Sequence, residues 1–419
     1  MGIDFTTSFI ILFLYRYVRL VVNLVAFWTF KPTPVPKEPR LSGKDVTVII
    51  PTLEGCGNEL EEAIRTILAN KPFEVLLVTI EANRKKAERM LRTIPAVDTS
   101  KVRLFSLPRP NKRRQMVRAI PEVKTAITIL ADDDVSWPRT ALPWILAPFD
   151  TDERFGGVVT CQRLRRQENP TFSERIWGFL GALYLERRNF DCAATTNVDG
   201  GIVCMSGRTV AYRTEILQDR ASMHAFTNET WFGKNQLNAD DDNFITRWMV
   251  SHGWETYMQY HPEVEVKTTL AKDATYLRQC IRWSRSNWRS NLTSMFVERH
   301  IWTRQPYSTY AVYLTTLSPP ALIGDSAIVY LCNKATESWD QDSRRLAMGG
   351  LLLTWMFFSK FIKLLGHYIR YAIDIMLLPV SILFGYFHGA IKIYAAITLH
   401  VTTWGSREGA DMCDAVHHS

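Results

Sequence analysis

The chain has 419 residues, a formal net charge of +8 and 47% hydrophobic residues. Its length suffices for one domain of roughly 250 residues and a second substantial part, so core size is not limiting. The basic balance is compatible with nucleic-acid binding, but the chain carries no motif for it, and we expect no nucleic-acid partner. Seven scattered cysteines without CxxC spacing indicate neither a zinc site nor a disulfide framework.

The first apolar segment covers residues 7–30 and is long enough to cross a bilayer, which takes roughly 20 helical residues. Arg16 and Arg19 interrupt it, so a helix lying in the membrane interface is an alternative. A cleaved signal peptide fits less well, because the apolar run is long and no small-residue cleavage site follows it. We assign residues 1–36 to an N-terminal membrane anchor and residues 37–44 to a linker.

Strands and helices alternate in the next part of the chain. Apolar runs predict the strands, and amphipathic or charged segments predict the helices. In chain order these are strand 45–52, helix 59–70, strand 74–83, helix 83–94, strand 101–107, helix 111–123 and a strand from 126 that runs into three aspartates. The alternation predicts an α/β domain with a mostly parallel sheet, which we assign to residues 45–275.

Three more apolar segments begin at residues 307, 346 and 371, and each can cross a membrane. The pair Pro319-Pro320 and Pro379 would kink or break such helices, so one or more segments can instead lie in the interface. We assign residues 307–403 to a C-terminal transmembrane region. The positive-inside bias places the basic middle domain in the cytoplasm, which predicts a multi-pass protein of the cell membrane with the lipid bilayer as a partner.

Polar loops follow the predicted strands at one edge of the sheet, where ligands of α/β domains collect. The loops are residues 52–57, 81–84, 107–114 and 132–134. An anionic nucleotide with a metal ion would use such an edge. The chain contains no GxGxxG or GxxxxGK[ST] string that would offer a different phosphate loop.

The string ADDD at residue 131 follows a buried strand. If the backbone stays extended, Asp132 and Asp134 project to one side and can address one divalent ion, while Asp133 points away. The alternative is a solvated loop that caps the turn before Trp137 and Pro138. A DxD triplet by itself does not decide between the two.

A second acidic cluster comes about a hundred residues later, in the string NADDDNFITRW. Apolar residues at helical spacing follow it, so it is predicted to begin a helix. Carboxylates there are favoured by the helix dipole, which is one explanation for the cluster. The functional alternative is that one of them acts as a general base toward an acceptor hydroxyl.

The string QCIRWSRSNWRSN begins at Gln279. Arg282 and Arg285 are suited to hold a diphosphate, and Trp283 offers a flat face for stacking a sugar ring. The alternative is an amphipathic interfacial helix with Trp and Arg at the headgroup level, and both can hold at once. We assign residues 276–306 to this interfacial helix region.

Taken in order, ADDD at 131, ADDD at 239 and QCIRW at 279 resemble the DxD, TED-type and QxxRW motifs of processive family 2 glycosyltransferases. These are the cellulose, chitin and hyaluronan synthases. The resemblance is greatest to hyaluronan synthases, whose patterns V-D-G-N-R, C-I-S-G-P-L-G-M-Y-R, G-D-D-R-H-L-T and W-G-T are similar to IEANR from Ile80, CMSGRTVAYR from Cys204, DDDNFIT from Asp240 and WGS from Trp404. It covers roughly residues 45–407, and residues 404–419 hold the WGSR motif and a tail.

The resemblance implies a GT-A-type glycosyltransferase domain, flanked by transmembrane and interfacial helices, that binds a UDP-sugar. By position, Glu54 and Glu81 would lie near the uridine. Lys112 and Arg113 would lie near the donor, and Asp132 would touch the nucleotide.

The same resemblance assigns the reacting groups. Asp134 would hold Mn²⁺ or Mg²⁺ bridging the diphosphate, and Asp242 aligns with the family's catalytic base. Gln279, Arg282 and Trp283 would frame the acceptor end. The implied reaction is a single inverting displacement at the anomeric carbon.

Three functions remain open from the sequence. The first is a processive synthase that polymerises sugar from UDP-GlcNAc or UDP-GlcA onto a growing glycan and exports it through its own helices. The second is a non-processive transferase that makes a membrane glycolipid such as a glucosylceramide. The third is an inactive scaffold, which the intact acidic and Arg-Trp motifs disfavour. The oligomeric state is not readable from the sequence.

Overall fold

A seven-stranded sheet organises the middle of the chain. The computed structural model describes residues 4–95 and 97–402. Its strands are β1 (Val46–Pro51), β2 (Glu74–Ile80), β3 (Val102–Leu107), β4 (Ile127–Ala131), β5 (Phe155–Thr160), β6 (Gln162–Leu164), β7 (Thr209–Arg213), β8 (Thr230–Trp231), β9 (Asn235–Gln236), β10 (Glu255–Gln259) and β11 (Val266–Thr268).

The large sheet has the order β10-β5-β7-β4-β1-β2-β3. Strand β7 runs antiparallel to both of its neighbours, and the other pairs are parallel. The predicted α/β class with a mostly parallel sheet is therefore confirmed. Every residue of β1 is buried, as expected for a parallel strand with helices on both faces. Two small sheets, β11-β6 and β8-β9, accompany the large one.

Along the sequence, helices separate the strands, and further helices precede and follow the sheet domain. They are α1 (Phe5–Thr29), α2 (Asn58–Leu68), α3 (Glu81–Thr93), α4 (Lys112–Ala119), α5 (Ala141–Thr151), α6 (Phe172–Asp199), α7 (Thr214–Gln218), α8 (Arg220–Asn228), α9 (Asp241–Ser251), α10 (Thr275–Leu292), α11 (Ile301–Arg304), α12 (Pro306–Ala311), α13 (Ala321–Ala335), α14 (Asp342–Phe361), α15 (Leu365–Arg370) and α16 (Leu378–Ile397).

One predicted loop is part of a helix. Helix α3 begins at Glu81, directly after β2, so residues 81–84 form its first turn. A carboxylate is favourable there because it lies at the positive end of the helix dipole. The side chain of Asn83 donates to the Leu53 carbonyl at 2.9 Å and fixes the loop after β1. The prediction of a loop at 81–84 was wrong because no turn residue separates β2 from α3.

Helix α6 was not among the predicted elements, and it joins the sheet domain to the apolar helices. Thr171 and Glu174 form a capping box at its start. The Asn189 side chain bonds both backbone groups of Gln162, at 3.0 and 2.8 Å, which attaches the helix to β6. On another side, Phe190 packs against Phe27 of α1 with ring centroids 5.0 Å apart.

Within residues 4–95 and 97–402, three helical segments are long and apolar enough to cross a membrane, judged by length and composition. They are Phe5–Thr29, Asp342–Arg370 and Ala372–Ile397. The predicted crossing that begins at residue 307 is divided instead into α12, a 3-10 turn at Tyr313–Thr316 and α13, which has 15 residues. The pair Pro319-Pro320 separates the last two pieces, because proline cannot continue the preceding helix.

Substituting Leu76 tests the buried sheet. Its side chain is fully buried in β2, so Leu76→Ala should destabilise the domain by about 2–5 kcal/mol and lower the thermal unfolding midpoint. Leu346→Ala is the matched control, since that side chain is 77% exposed on α14. Equal midpoints for the two variants, measured on purified protein in detergent, would contradict the sheet packing.

Candidate active site

A cavity of about 150 Å³, here called the sheet-edge cavity, lies at the carboxyl ends of β1 and β4, beside α10. It is lined by Pro51, Leu53, Pro110, Asn111, Lys112, Gln115, Asp132, Asp133, Asp134, Arg208, Thr269, Leu270, Gln279, Arg282 and Trp283. The predicted site residues that the structure brings together here are Lys112, Asp132, Asp134, Gln279, Arg282 and Trp283. Residues from widely separated parts of the chain thus meet at the edge where α/β domains bind ligands.

All three aspartates of the first acidic cluster line this cavity. Asp133 accepts a hydrogen bond from the Thr52 hydroxyl at 2.8 Å, and Asp134 accepts one from the Thr269 hydroxyl at 2.9 Å. The prediction that Asp133 points away was wrong. Strand β4 ends at Ala131, so the alternation of a strand does not extend to residue 133.

The crowding of carboxylates changes the protonation of Asp134. Burial, together with the negative charges of Asp132 and Asp133, raises the pKa of Asp134 to about 6. A divalent cation would relieve this repulsion, and oxygen donors suit Mg²⁺ or Mn²⁺. No group of three His, Cys, Asp or Glu side chains within the described residues forms a ready metal cage. A cation held here would therefore need oxygens from a bound substrate or water as further ligands.

Lys112 connects the first acidic cluster to the second. Its ammonium lies 2.8 Å from Asp132 Oδ1 and 3.0 Å from Asp241 Oδ2. Burial lowers the pKa of the Lys112 amine, but the charges of Asp132 and Asp241 outweigh burial and leave the pKa above its ordinary value. The amine therefore stays charged, and it fixes the separation of the two clusters.

The three carboxylates of the second cluster have different partners. Asp240 has φ +68°, in the left-handed region, and forms a buried ion pair with Arg289 of α10 at 2.8 Å. Asp241 pairs with Lys112. Asp242 shares a hydrogen bond with the Cys204 thiol, and burial together with Asp241 raises the pKa of Asp242. Asp242 is therefore a stronger base than Asp241, whose pKa Lys112 lowers.

A larger cavity of about 340 Å³, here called the helix cavity, lies among α6, α10, the 3-10 turn at Tyr313–Thr316 and α16. It is lined by Tyr184, Arg187, Arg188, Asp191, Cys192, Thr195, Val203, Cys204, Ser284, Asn287, Trp288, Asn291, Val312, Thr315, Thr316, His388 and Lys392. Because Cys204 is a lining residue and bonds Asp242, the candidate base is adjacent to this cavity.

Trp283 lies between the two cavities. Its ring lines the sheet-edge cavity and stacks on Tyr184, a lining residue of the helix cavity, at a centroid distance of 4.6 Å and an interplanar angle of 10°. The Arg208 guanidinium carbon lies 5.6 Å from the Trp283 centroid. The aromatic pair therefore forms a flat partition that can support a sugar ring.

Four predicted donor contacts do not line the sheet-edge cavity. Glu54 and Glu81 are exposed beside the loop after β1 and at the start of α3. The Arg113 guanidinium is buried and binds the Phe226 carbonyl, the Ala239 carbonyl and Glu229, each within 2.8 Å. Arg285 binds the Thr398 hydroxyl at 2.9 Å instead.

The position of Arg113 has a simple cause. It follows Lys112 in α4, and while Lys112 faces the cavity, the Arg113 guanidinium is directed about 100° away, to Glu229 and the Ala239 carbonyl. Arg113 stabilises the loop before α9 in this structure. Arg285 lies against α16, with its guanidinium carbon 5.7 Å from the Tyr394 ring.

The sequence interpretation missed Arg208, which lines the sheet-edge cavity. Its guanidinium donates to Gln162 Oε1 at 3.1 Å and to the Ser206 hydroxyl at 2.9 Å. The sequence did contain a signal for this residue, namely a basic side chain within the string CMSGRTVAYR, just before β7. Gln115 was also missed, and its amide donates to the Thr52 and Val78 carbonyls at 2.9 and 3.0 Å.

The WGSR motif, with Trp404, Gly405 and Ser406, lies outside the described residues. Its similarity to the W-G-T pattern therefore stays a prediction from the sequence. The six described cysteines are free.

Comparison with known proteins identifies the family of the chain. The family model described as "Glycosyltransferase like family 2" matches residues 43–286. A type 2 glycosyltransferase of Zymoseptoria tritici is 52% identical over 405 residues, which cover 96% of this chain and 84% of the relative. One of Gibberella zeae is 48% identical over 406 residues, which cover 97% of this chain and 76% of the relative.

Among solved structures, the mannosyltransferase PcManGT from Pyrobaculum calidifontis, in complex with GDP-Man and Mn²⁺, is similar with a TM-score of 0.54. The match covers 93% of this chain and 98% of that one at 16% identity, so it concerns the fold. The family match covers more than half of the chain, and the sheet carries its acidic cavity at the expected edge. The protein therefore belongs to glycosyltransferase family 2, with a GT-A-type fold and three helices apolar enough to span a membrane.

Proposed function

We propose that the protein is an inverting, processive glycosyltransferase of the cell membrane that transfers sugar from a UDP-sugar to a growing polysaccharide. The observation that carries this proposal is the position of Asp242. It bonds Cys204 of the helix cavity and interacts electrostatically with Lys112 of the sheet-edge cavity. A base in this position can take a proton from an acceptor in one cavity while a donor occupies the other.

The sheet-edge cavity supports the binding of a nucleotide diphosphate with a divalent cation. Asp132 and Asp134 would hold Mn²⁺ or Mg²⁺, which supplies charge stabilisation for the leaving diphosphate. Arg208 and Arg282 line the same cavity and add positive charge near that group. UDP-GlcNAc and UDP-GlcA are favoured by the resemblance to hyaluronan synthases. The structural neighbour with GDP-Man makes GDP-mannose the donor to test against them.

The reaction would be a single displacement at the anomeric carbon. Asp242 accepts the proton of the attacking hydroxyl, and its raised pKa makes it a stronger base than an ordinary carboxylate. The Trp283 ring positions a sugar ring at the boundary of the two cavities. The ion pairs of Lys112 hold both acidic clusters in place, so little reorganisation accompanies the transfer.

The lining of the helix cavity favours a carbohydrate as the acceptor. Tyr184 and Trp288 offer aromatic faces, and Asn287, Asn291 and Arg188 offer polar groups that can bind hydroxyls. Because α16 and the 3-10 turn at Tyr313–Thr316 form part of the cavity wall, a growing glycan would leave toward the apolar helices, with the sheet domain in the cytoplasm.

A membrane glycolipid such as a glucosylceramide is the second candidate product. The observation that favours it is the nearness of the helix cavity to segments that can lie in a membrane, from which a lipid hydroxyl could enter. In that case the same donor site and the same base would act once on each acceptor.

Product analysis separates the two candidates. Membranes containing the full chain would be supplied with Mn²⁺ and radiolabelled UDP-GlcNAc, UDP-GlcA or GDP-mannose, and the product would be digested with linkage-specific hydrolases. We expect labelled polymer from a UDP-sugar and none from Asp242→Asn, because loss of a general base costs about 10²–10⁴ in rate. Label found only in the organic extract would contradict the polymer, and polymer from GDP-mannose alone would contradict the UDP donor.

The first acidic cluster provides a prediction about the metal. Asp134→Ala should lower Mn²⁺-dependent release of the nucleotide diphosphate by roughly 10²–10³-fold, because the cation loses a ligand next to the leaving group. Asp133→Ala should also lower it, since Asp133 lines the same cavity. Asp98→Ala is the control, because this carboxylate binds Ser100 before β3 and lies outside the cavity. Wild-type activity in the Asp134 variant would contradict the metal assignment.

The Cys204 thiol provides a prediction about pH. Its hydrogen bond favours the charged form of Asp242 and therefore lowers the pKa of that carboxylate. In Cys204→Ala this pKa should rise further, because the charged carboxylate loses that hydrogen bond. Since the base acts when ionised, the loss of kcat/KM on acidification should begin at a higher pH.

Cys204→Ser is the matched control, because a hydroxyl keeps a donor at this position, and its pH profile should stay near that of the wild type. Transfer rates measured from pH 4 to pH 8 give the result. Identical acid limbs in the alanine and serine variants would contradict the assignment of Asp242 as the titrating base.

A further inference from the structure

A third cavity, of about 240 Å³, lies among α1, α6, α14 and α16, away from both acidic clusters. It is here called the cationic cavity. Its lining includes five basic side chains from separate parts of the chain: Arg16, Arg19, Arg187, Lys360 and Lys363. Cations are rare among apolar helices because their transfer from water is costly, so such a concentration indicates a function.

The described carboxylates around the cavity do not balance this charge. Asp325 of α13 accepts hydrogen bonds from Arg16 and, at 2.7 Å, from Lys360. Asp191 lies close enough to Arg19 and Lys363 to attract both. With two carboxylates facing five cations, a net positive charge of three remains.

Two of the basic side chains also carry unused donors. Arg19 Nη1 and Arg187 Nε are buried and have no hydrogen-bond partner within the described chain. A buried donor without an acceptor costs roughly 1–3 kcal/mol, and more when it is charged. An anion with several oxygen atoms would satisfy both donors and offset the excess charge.

The surroundings indicate where the anion comes from. The cavity is lined by residues of each of the three described helical segments that are apolar enough to cross a membrane, and Leu20 and Ile382 form part of its wall. Next to the lining residues Ala321 and Ile382, the side chains of Leu322 and Leu383 are 56% and 69% exposed. This apolar surface can accommodate acyl chains beside a bound headgroup.

We propose that the cationic cavity binds the phosphate of an anionic phospholipid headgroup. Arg19, Arg187 and Lys363 supply the contacts, while Arg16 and Lys360 stay paired with Asp325. Basic pockets between membrane helices bind anionic headgroups by this combination of charge and hydrogen bonding. Arg187 also lines the helix cavity, but the inference rests on the charge and the unused donors of the cationic cavity, whatever the donor and acceptor of the transferase are.

The experiment uses the full chain purified in neutral detergent. Phosphatidylinositol, phosphatidylcholine and inorganic phosphate would be titrated separately, with native mass spectrometry and the thermal unfolding midpoint as readouts. We expect phosphatidylinositol to stay bound and to raise the midpoint, with phosphatidylcholine at least tenfold weaker. Protection by inorganic phosphate equal to that by phosphatidylinositol would overturn the lipid as the source.

Substitutions of the lining residues test whether the lipid binds in the cationic cavity. The double variant Arg19→Gln with Arg187→Gln should bind phosphatidylinositol about tenfold more weakly or worse. Lys363→Gln, which changes a single side chain, should show a smaller loss and covers the case in which the double variant does not fold. Arg344→Gln is the control, because Arg344 is an exposed cation at the start of α14. Equal loss in the control, or no loss in Lys363→Gln and the double variant, would overturn the proposal.

Discussion

The ammonium of Lys112 is the interaction on which the arrangement of the active site depends. It lies within 3.0 Å of one carboxylate from each acidic cluster, Asp132 after β4 and Asp241 at the start of α9. Without this charge the clusters would repel each other across a partly buried cavity, where the effective dielectric constant is low. A cation at the first residue of α4 therefore lets the sheet edge and α9 approach closely enough to serve one reaction.

Helices outside the sheet also contribute residues to the two cavities. Helix α10 supplies Trp283 to the partition between the cavities, and α6 supplies Tyr184. The ion pair between Asp240 and Arg289 joins α10 to the start of α9. The transferase domain and the apolar helices thus meet at the residues that line the two cavities.

Much of the fold followed from local pattern, because buried parallel strands and amphipathic helices have distinct periodicities. The acidic clusters and the Arg-Trp string could also be recognised in the sequence, since clustered charged residues cost folding free energy unless they have a function. The direction of individual side chains could not be predicted from the sequence. Asp133 enters the cavity because β4 ends directly before the cluster, and Arg113 is held outside it by Glu229 and two backbone carbonyls from distant parts of the chain. Arg208 acquires its role only when β7 is inserted beside β4, a long-range pairing without a local signal.

The conformation of Asp240 has a consequence for relatives of this protein. The position resembles a glycine in the hyaluronan synthase pattern, and its φ of +68° is one that glycine adopts without strain. Here an aspartate occupies it, and the carboxylate reaches Arg289 of α10. A glycine at position 240 would leave the buried cation at 289 without its partner. The two positions should therefore change together during divergence, with glycine at 240 accompanied by an uncharged residue at 289.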